Sequence, residues 1–224
     1  MKIHDEKNIY IHHILKLNNN PEQILNNMKS YCRRNIRKAS RLGIRTEQSS
    51  SMNSVKIYYN LHCITRKRLG TPPQPLSFFK NIKKYIFDNN HGFIILGYFN
   101  DIPIAGAVFF HFGKKALFKF GASDQRFQQM RANNLILWEA IYYFAINKFK
   151  ELSLGRTSQE NIGLLNYKEG WGADRTKINY YTYPAIIQKS ILIDHLIRIS
   201  RKIITVVPVT ILKTIVSRLY RFFP

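Results

Sequence analysis

The chain has 224 residues, 45% of them hydrophobic, with 15 Phe and 13 Tyr, so it can bury the core of one full domain plus an appendage, and a disordered composition is excluded. Its formal net charge of +22 says nothing about fold, but it points to anionic partners: nucleic acid, anionic lipid or a phosphorylated substrate. Two cysteines, Cys32 and Cys63, exclude a disulfide framework, and the 7 histidines show no ligand spacing, so no metal is predicted.

The opening MKIHDEKNIYIHH lacks the apolar run of a secretory signal, and no window reaches the roughly 18–20 apolar residues of a membrane span. The expected location is cytoplasmic, with peripheral contact at the inner membrane face. Residues 9–17 read as a strand, with His12 and His13 on opposite faces. Asn20 and Pro21 then cap and open a helix. Ile24, Met28, Cys32, Ile36 and Ala39 give it a buried stripe at spacings of three and four. Arg34, Arg37, Lys38, Arg41 and Arg45 fall opposite, and no acid interrupts residues 29–45, so this side is either a solvated basic face or one turned to an anion. Gly43 is the expected stop.

Residues 46–54 read as a polar loop. Ser54 or Asn53 would cap a helix over 55–69, Thr71 to Pro75 a stiff turn, and 76–88 a further helix. From His91 the period changes. Residues 93–98 and 102–112 form a hairpin around Asn100-Asp101, with Gly106 expected at a bulge or a close backbone approach, and 115–121 form a third strand. A connection, ASDQRFQQM, leads to a helix whose buried side carries Leu135, Trp138, Ile141, Tyr142, Ala145 and Phe149.

A short strand from Leu152 then ends in Gly155-Arg156-Thr157-Ser158. A polar turn follows, then a helix holding Leu164, Leu165 and Lys168, then Trp171. Strand, glycine, hydroxyl pair and helix can be an ordinary corner capped by Ser158. The same order can also present an anion to helix N–H groups and Arg156. Asp174 to Tyr183 is a closing strand. The tail, 185–224, alternates apolar stretches with Lys189, Arg198, Arg201, Lys202, Lys213, Arg218 and Arg221, holds the single acid Asp194, and is kinked at Pro208. It reads either as interfacial helices on anionic lipid or as a helical hairpin packed on the domain. The domain division is therefore 1–184 and 185–224.

Three blocks resemble the Fem-type (FemAB-like) acyltransferases, the peptidoglycan-bridge aminoacyltransferases and their exopolysaccharide relatives. The first is Arg33-x-x-Ile36-Arg37-Lys38-Ala39 with Gly43. The second is Tyr58, Thr65, Lys67-Arg68-Leu69-Gly70 and Pro72, with Phe78-Phe79 after it. The third is Gly155-Arg156-Thr157-Ser158, Asn161-x-Gly163-Leu164 and Tyr167-Lys168-x-x-Trp171-Gly172-Ala173. The blocks run in the family's order over residues 20–183.

The resemblance implies an α/β acetyltransferase (GNAT) fold: a central mixed, mostly antiparallel sheet flanked by helices, here with a helical tail. It implies transfer of an acyl or aminoacyl group to an amine of a cell-envelope precursor, peptidoglycan or polysaccharide, that is phosphorylated or lipid-linked. By matched position, Lys168 is the catalytic candidate, as a phosphate or oxyanion contact. Arg156, Thr157, Ser158, Asn161, Tyr58, Lys67 and Arg68 are the substrate-binding candidates, with Glu160 and Asp124 as further candidate bases. The donor would be aminoacyl-tRNA or acyl-coenzyme A, with no resident cofactor. Coenzyme-A-dependent relatives place R/Q-x-x-G-x-G/A before the central helix, whereas Gln125 to Ala132 holds no glycine. Fem-type enzymes also lack that loop. They carry two such domains, and this chain matches the second, so the resemblance implies a minimal version of the enzyme, a protein that pairs with a second chain supplying the first domain, or a truncated and inactive remnant. Other classes stay open: an anion-binding module, possessing no catalysis, on membrane or RNA, and a coenzyme-A-dependent N-acyltransferase acting on an amino sugar.

Overall fold

A computed structural model describes residues 10–179 and 204–219. Seven strands form one sheet in the order β2-β3-β4-β5-β6-β1-β7. They are β1 Tyr10–Lys16, β2 Arg45–Ser49, β3 Gly92–Phe99, β4 Ile102–Phe112, β5 Lys115–Ser123, β6 Glu151–Ser158 and β7 Asp174–Ile178. All neighbours are antiparallel except β5 and β6, which run parallel. The helices are α1 Pro21–Asn27, α2 Ser30–Arg41, α3 Met52–Arg68, α4 Leu76–Ile82, α5 Ala132–Ile146, α6 Ile162–Glu169 and α7 Val209–Leu219.

Two cores lie on opposite faces of the sheet. On one, Met28, Cys32 and Ile36 of the α1–α2 segment meet Ile136, Ala140 and Phe144 of α5 over Ile95, Phe109 and Leu152. On the other, Tyr58, Leu61 and Cys63 of α3 meet Phe79 of α4 over Ile94, Leu96 and Val108. Both cysteines are buried and free. Burying a side chain such as Phe109 or Phe144 contributes about 1.5–3 kcal/mol of favourable transfer, so the two cores rather than surface charge pairs hold the sheet.

Local chemistry explains most boundaries. Asn20 accepts from the Gln23 N–H at 3.1 Å and Pro21 opens α1. Asn100 and Asp101 both have positive φ (48° and 60°), the requirement of the tight turn that joins β3 to β4. Gly43, with φ 75°, follows α2.

Several expectations are corrected. The helix from Pro21 is two helices: Met28 and Lys29 are extended, and the Lys29 N–H leaves the helix to donate to Gly170 O at 2.9 Å. Residues 45–49 are not loop but edge strand β2, paired with β3 alone; its polar residues fit a strand with no second neighbour and an open face. Ser51, not Ser54 or Asn53, caps α3, accepting from the Ser54 N–H at 3.1 Å. The α4 segment changes to a π-helical turn over Lys83–Phe87. Gly106 carries no register shift; the shifts fall at Gly97/Tyr98 and Val108/Phe109. A Cβ at Gly106 would instead stand 2.9 Å from the Leu96 side chain and 3.1 Å from that of Tyr58. Tyr142 is exposed rather than buried. The closing strand ends at Ile178; its expected residues 180–183 and the tail residues 185–203 and 220–224 lie outside the described residues.

A two-way clasp ties α3 to the end of β5. Thr65 Oγ1 donates to Ser123 O at 3.0 Å and accepts from the Ser123 N–H at 2.8 Å. Thr65→Val keeps the shape and leaves both backbone groups unpaired, so urea unfolding should show a loss of about 2 kcal/mol.

Candidate functional site

The site is set by one break in the sheet. β5 and β6 pair in parallel over only three positions, Lys115–Leu117 against Glu151–Ser153. Beyond these, β6 stays with β1, through a register shift between His12 and Ile14, and Gly155 takes φ 72°. The two strands therefore part, and a cavity of about 530 Å³ lies at the gap. Phe118, Gly121 and Ser123 of β5 line it, with Asn134 of α5, Tyr167 of α6 and Arg68 of α3. Residues of α3 line it from one helical layer, and residues of α2, α5 and α6 also border it.

The approach to α5 gives the cleft its polar end. A 3₁₀ turn over Gln125–Met130 leads into Arg131, which takes the left-handed conformation (φ 61°, ψ 24°) immediately before α5. Asp124 caps the turn, accepting from Arg126, whose guanidinium holds the Asp124 carboxyl below the usual carboxylate range. Asp124 is thereby an ion-paired cap. Gln128, Arg131 and Asn134 all line the cleft. Asn134 is only 6% exposed, and its Nδ2 has no hydrogen-bond partner among the described residues. A buried amide donor left without an acceptor costs about 1–3 kcal/mol, which a ligand oxygen would recover.

Of the catalytic and substrate-binding candidates from sequence, Arg68 is in the lining of the cleft, whereas Tyr58, Lys67, Arg156, Thr157, Ser158, Asn161 and Lys168 are outside it. Lys67 precedes Arg68 at the end of α3. Tyr58 is fully enclosed, its ring 5.6 Å from that of Phe79, with burial holding its phenol far above the usual range. The Gly155–Ser158 segment is not a turn at a helix start: all four residues belong to β6, extended past the Gly155 kink by pairing with β1. Thr157 is buried, and the Arg156 guanidinium lies 4.7 Å from the Tyr10 ring centroid. The cap of α6 is Asn161, not Ser158; its Oδ1 accepts from the Leu164 N–H at 3.1 Å. Glu160 is exposed in the turn before it.

Lys168 is buried on α6, one turn from Leu164 and next to Tyr167, both of which line the cleft. Its Nζ donates to Gly155 O at 2.9 Å and Arg156 O at 3.3 Å. The ammonium thus serves carbonyls of β6 beyond its last pair with β5. Burial draws its pKa down to about 8. His12 and His13 stand near the same charge. His12 Nε2 is 2.7 Å from Ser153 Oγ, and burial, then Lys168, lowers the pKa of both rings.

Asn134, Arg131 and Gln128 were not legible as site residues from the sequence read for glycines. Their spacing was there: Gln128-x-x-Arg131-x-Asn133 has the R/Q-x-x-G-x-G/A interval, with arginine and asparagine at the glycine places.

A family model for the acetyltransferase (GNAT) domain matches residues 26–169, more than half of the chain. No protein of curated function matches by sequence. Among solved structures, FemX is similar at TM-score 0.68 and 17% identity, over 77% of this chain and 61% of that one. The C-terminal domain of a putative lysylphosphatidylglycerol synthetase from Agrobacterium fabrum is similar at TM-score 0.53 and 9% identity, over 75% and 58%. A tandem GNAT protein from the clavulanic acid biosynthesis pathway gives 0.54 and 7%, over 78% and 52%. The chain thus spans about three fifths of the FemX chain, and these likenesses are of fold. With the sheet order, the parted parallel strands and the family match in agreement, the chain belongs to the acetyltransferase (GNAT) family.

Proposed function

We propose that this protein is an N-acyltransferase that moves an acyl group from an activated ester or thioester to an amine on a cell-envelope precursor. The observation that carries the reading is the parting of β5 and β6 into a cleft lined by α3 as well as by α5 and α6. Such a gap lets a donor carbonyl and an acceptor amine meet, and holding them there removes much of the entropic barrier to a bimolecular step. The amine nitrogen attacks the acyl carbon, the C–N bond forms, the C–S or C–O bond breaks, the amine gives up a proton and the leaving group takes one.

Lys168 is our proton acceptor. Two of its hydrogens are used by Gly155 O and Arg156 O, so the remaining position holds either a third proton or a free lone pair. A pKa drawn down to about 8 places that change near working pH. Arg156, Ser158, Lys67 and Arg68 supply positive or polar contacts for a phosphorylated or lipid-linked acceptor. The envelope assignment rests on the three Fem-like blocks and on the shared fold with FemX. The donor carrier is either a transfer RNA or coenzyme A.

The test is transfer from short acyl thioesters of N-acetylcysteamine to a panel of amino sugars and amino-acid amides, followed by mass spectrometry. Leu164→Trp, which fills the cleft from an exposed position of α6, should abolish transfer while the melting temperature holds. Transfer that persists at the wild-type rate in that variant would place the chemistry elsewhere.

A further inference from the structure

Among the described residues, the charged groups that line the cleft are all cationic. Arg68 and Arg131, both exposed, are its charged lining residues, and among the described residues no aspartate or glutamate lines it. Its deepest polar group is Asn134, 6% exposed, with Nδ2 unpartnered among the described residues. Asn134 is the third residue of the 15-residue α5, where backbone N–H groups and the helix dipole also favour negative charge. The two nearest acids in sequence do not offset this. Asp124 is tied to Arg126, and Glu139 is on α5 outside the lining. A protonated amine brought into this space would find two guanidinium groups and an amide donor, with no carboxylate to accept it.

Taking the acyl-transfer reading as its basis, we propose that the cleft accepts acyl groups with a neutral or anionic end, with Asn134 Nδ2 donating to an acyl oxygen, and rejects acyl groups with a cationic end. The substrate class is then a carboxyacyl or plain acyl donor rather than an aminoacyl donor carrying its ammonium.

Three N-acetylcysteamine thioesters of equal chain length isolate this property: succinyl (anionic end), butyryl (neutral) and β-alanyl (cationic). Binding to the full chain is measured by titration calorimetry at pH 7 and at fixed salt. Wild type should bind the succinyl probe about tenfold or more tighter than the β-alanyl probe, the order expected when one pairs with a cationic site and the other is left unpaired in it. Asn134→Asp keeps the shape, adds an acid at a helix position that favours one, and should reverse that order. Arg131→Gly suits the left-handed backbone at φ 61° and removes one charge; it should fold as well as wild type and narrow the preference several-fold. Equal or tighter binding of the β-alanyl probe by wild type would overturn the charge selection and leave the acyl cleft standing. Binding of none of the three would overturn the acyl cleft itself, and the selection with it.

Discussion

Lys168→Met should lower the rate of acyl transfer by about a hundredfold or more, the scale on which a positioned proton acceptor acts. Methionine fills the space of the lysine stem but supplies neither N–H to Gly155 O nor Arg156 O. The variant should also lose its pH dependence. In wild type the neutral form grows as pH rises through about 8, so kcat/KM should climb with a midpoint there. The sign for stability follows from the same shift. Lysine's ordinary value is 10.5, so between about 8 and 10.5 the unfolded chain holds a proton that the folded chain has released. The penalty of the buried charge is then full below pH 8 and is relieved as pH rises through that window. Chemical unfolding should show stability from this group rising between pH 8 and 10.5 in wild type and flat in Lys168→Met. A wild-type rate in Lys168→Met, or a profile with no limb near pH 8, would reduce Lys168 to a prop for β6.

That double character of Lys168 shows what the sequence could and could not convey. The Asn20-Pro21 start, the Asn100-Asp101 turn and the 3.6-residue stripe of Cys32, Ile36 and Ala39 were readable because each depends on neighbours in sequence. β2 was not, because a polar edge strand looks like a loop until β3 is known to pair with it. The Gly155–Ser158 segment was misjudged for a related reason. A glycine with φ 72° normally ends a strand, yet β1 lies 141 residues away in sequence and keeps β6 extended, with His12 meeting Ser153. The cleft was still less legible. Asn134 becomes a site residue only because burial strips its amide of partners, and burial is a property of the assembled α5, β5 and α6. The tail illustrates the same limit. Leu212 is buried and Lys213 Nζ donates to Asn60 Oδ1 of α3 at 2.7 Å, while Ile211 and Ile215 stay exposed. The apolar residues of α7 are thus divided between packing and surface in a way that spacing alone did not assign. Among the described residues no helix is long and apolar enough to cross a membrane.

Gly170→Ala should be strongly destabilising, and its effect should reach the site. The space at Gly170 is taken by α2. An added Cβ would overlap the Tyr31 hydroxyl and stand 2.5 Å from Tyr31 Cζ and 2.9 Å from Cys32 Sγ. Neither neighbour yields freely. Tyr31 donates to Asn166 O at 2.6 Å, Cys32 is fully buried, and Gly170 O itself accepts from the Lys29 N–H at 2.9 Å. Overpacking of this kind costs about 1–3 kcal/mol, which for a chain of this length lowers the melting temperature by roughly 2–10 °C. The backbone at Gly170 is ordinary (φ −59°), so the cost is steric and not conformational. The double variant Tyr31→Ser, Gly170→Ala should therefore recover much of the loss, and the two changes should be non-additive in scanning calorimetry. If α6 instead swings away to make room, Tyr167 and Lys168 move with it, and Gly155 O and Arg156 O lose their donor. Transfer should then fall further in Gly170→Ala than the drop in folded fraction explains, and recover with the second substitution. Equal melting temperatures for Gly170→Ala and wild type would mean that α2 and α6 are held apart by something other than this glycine.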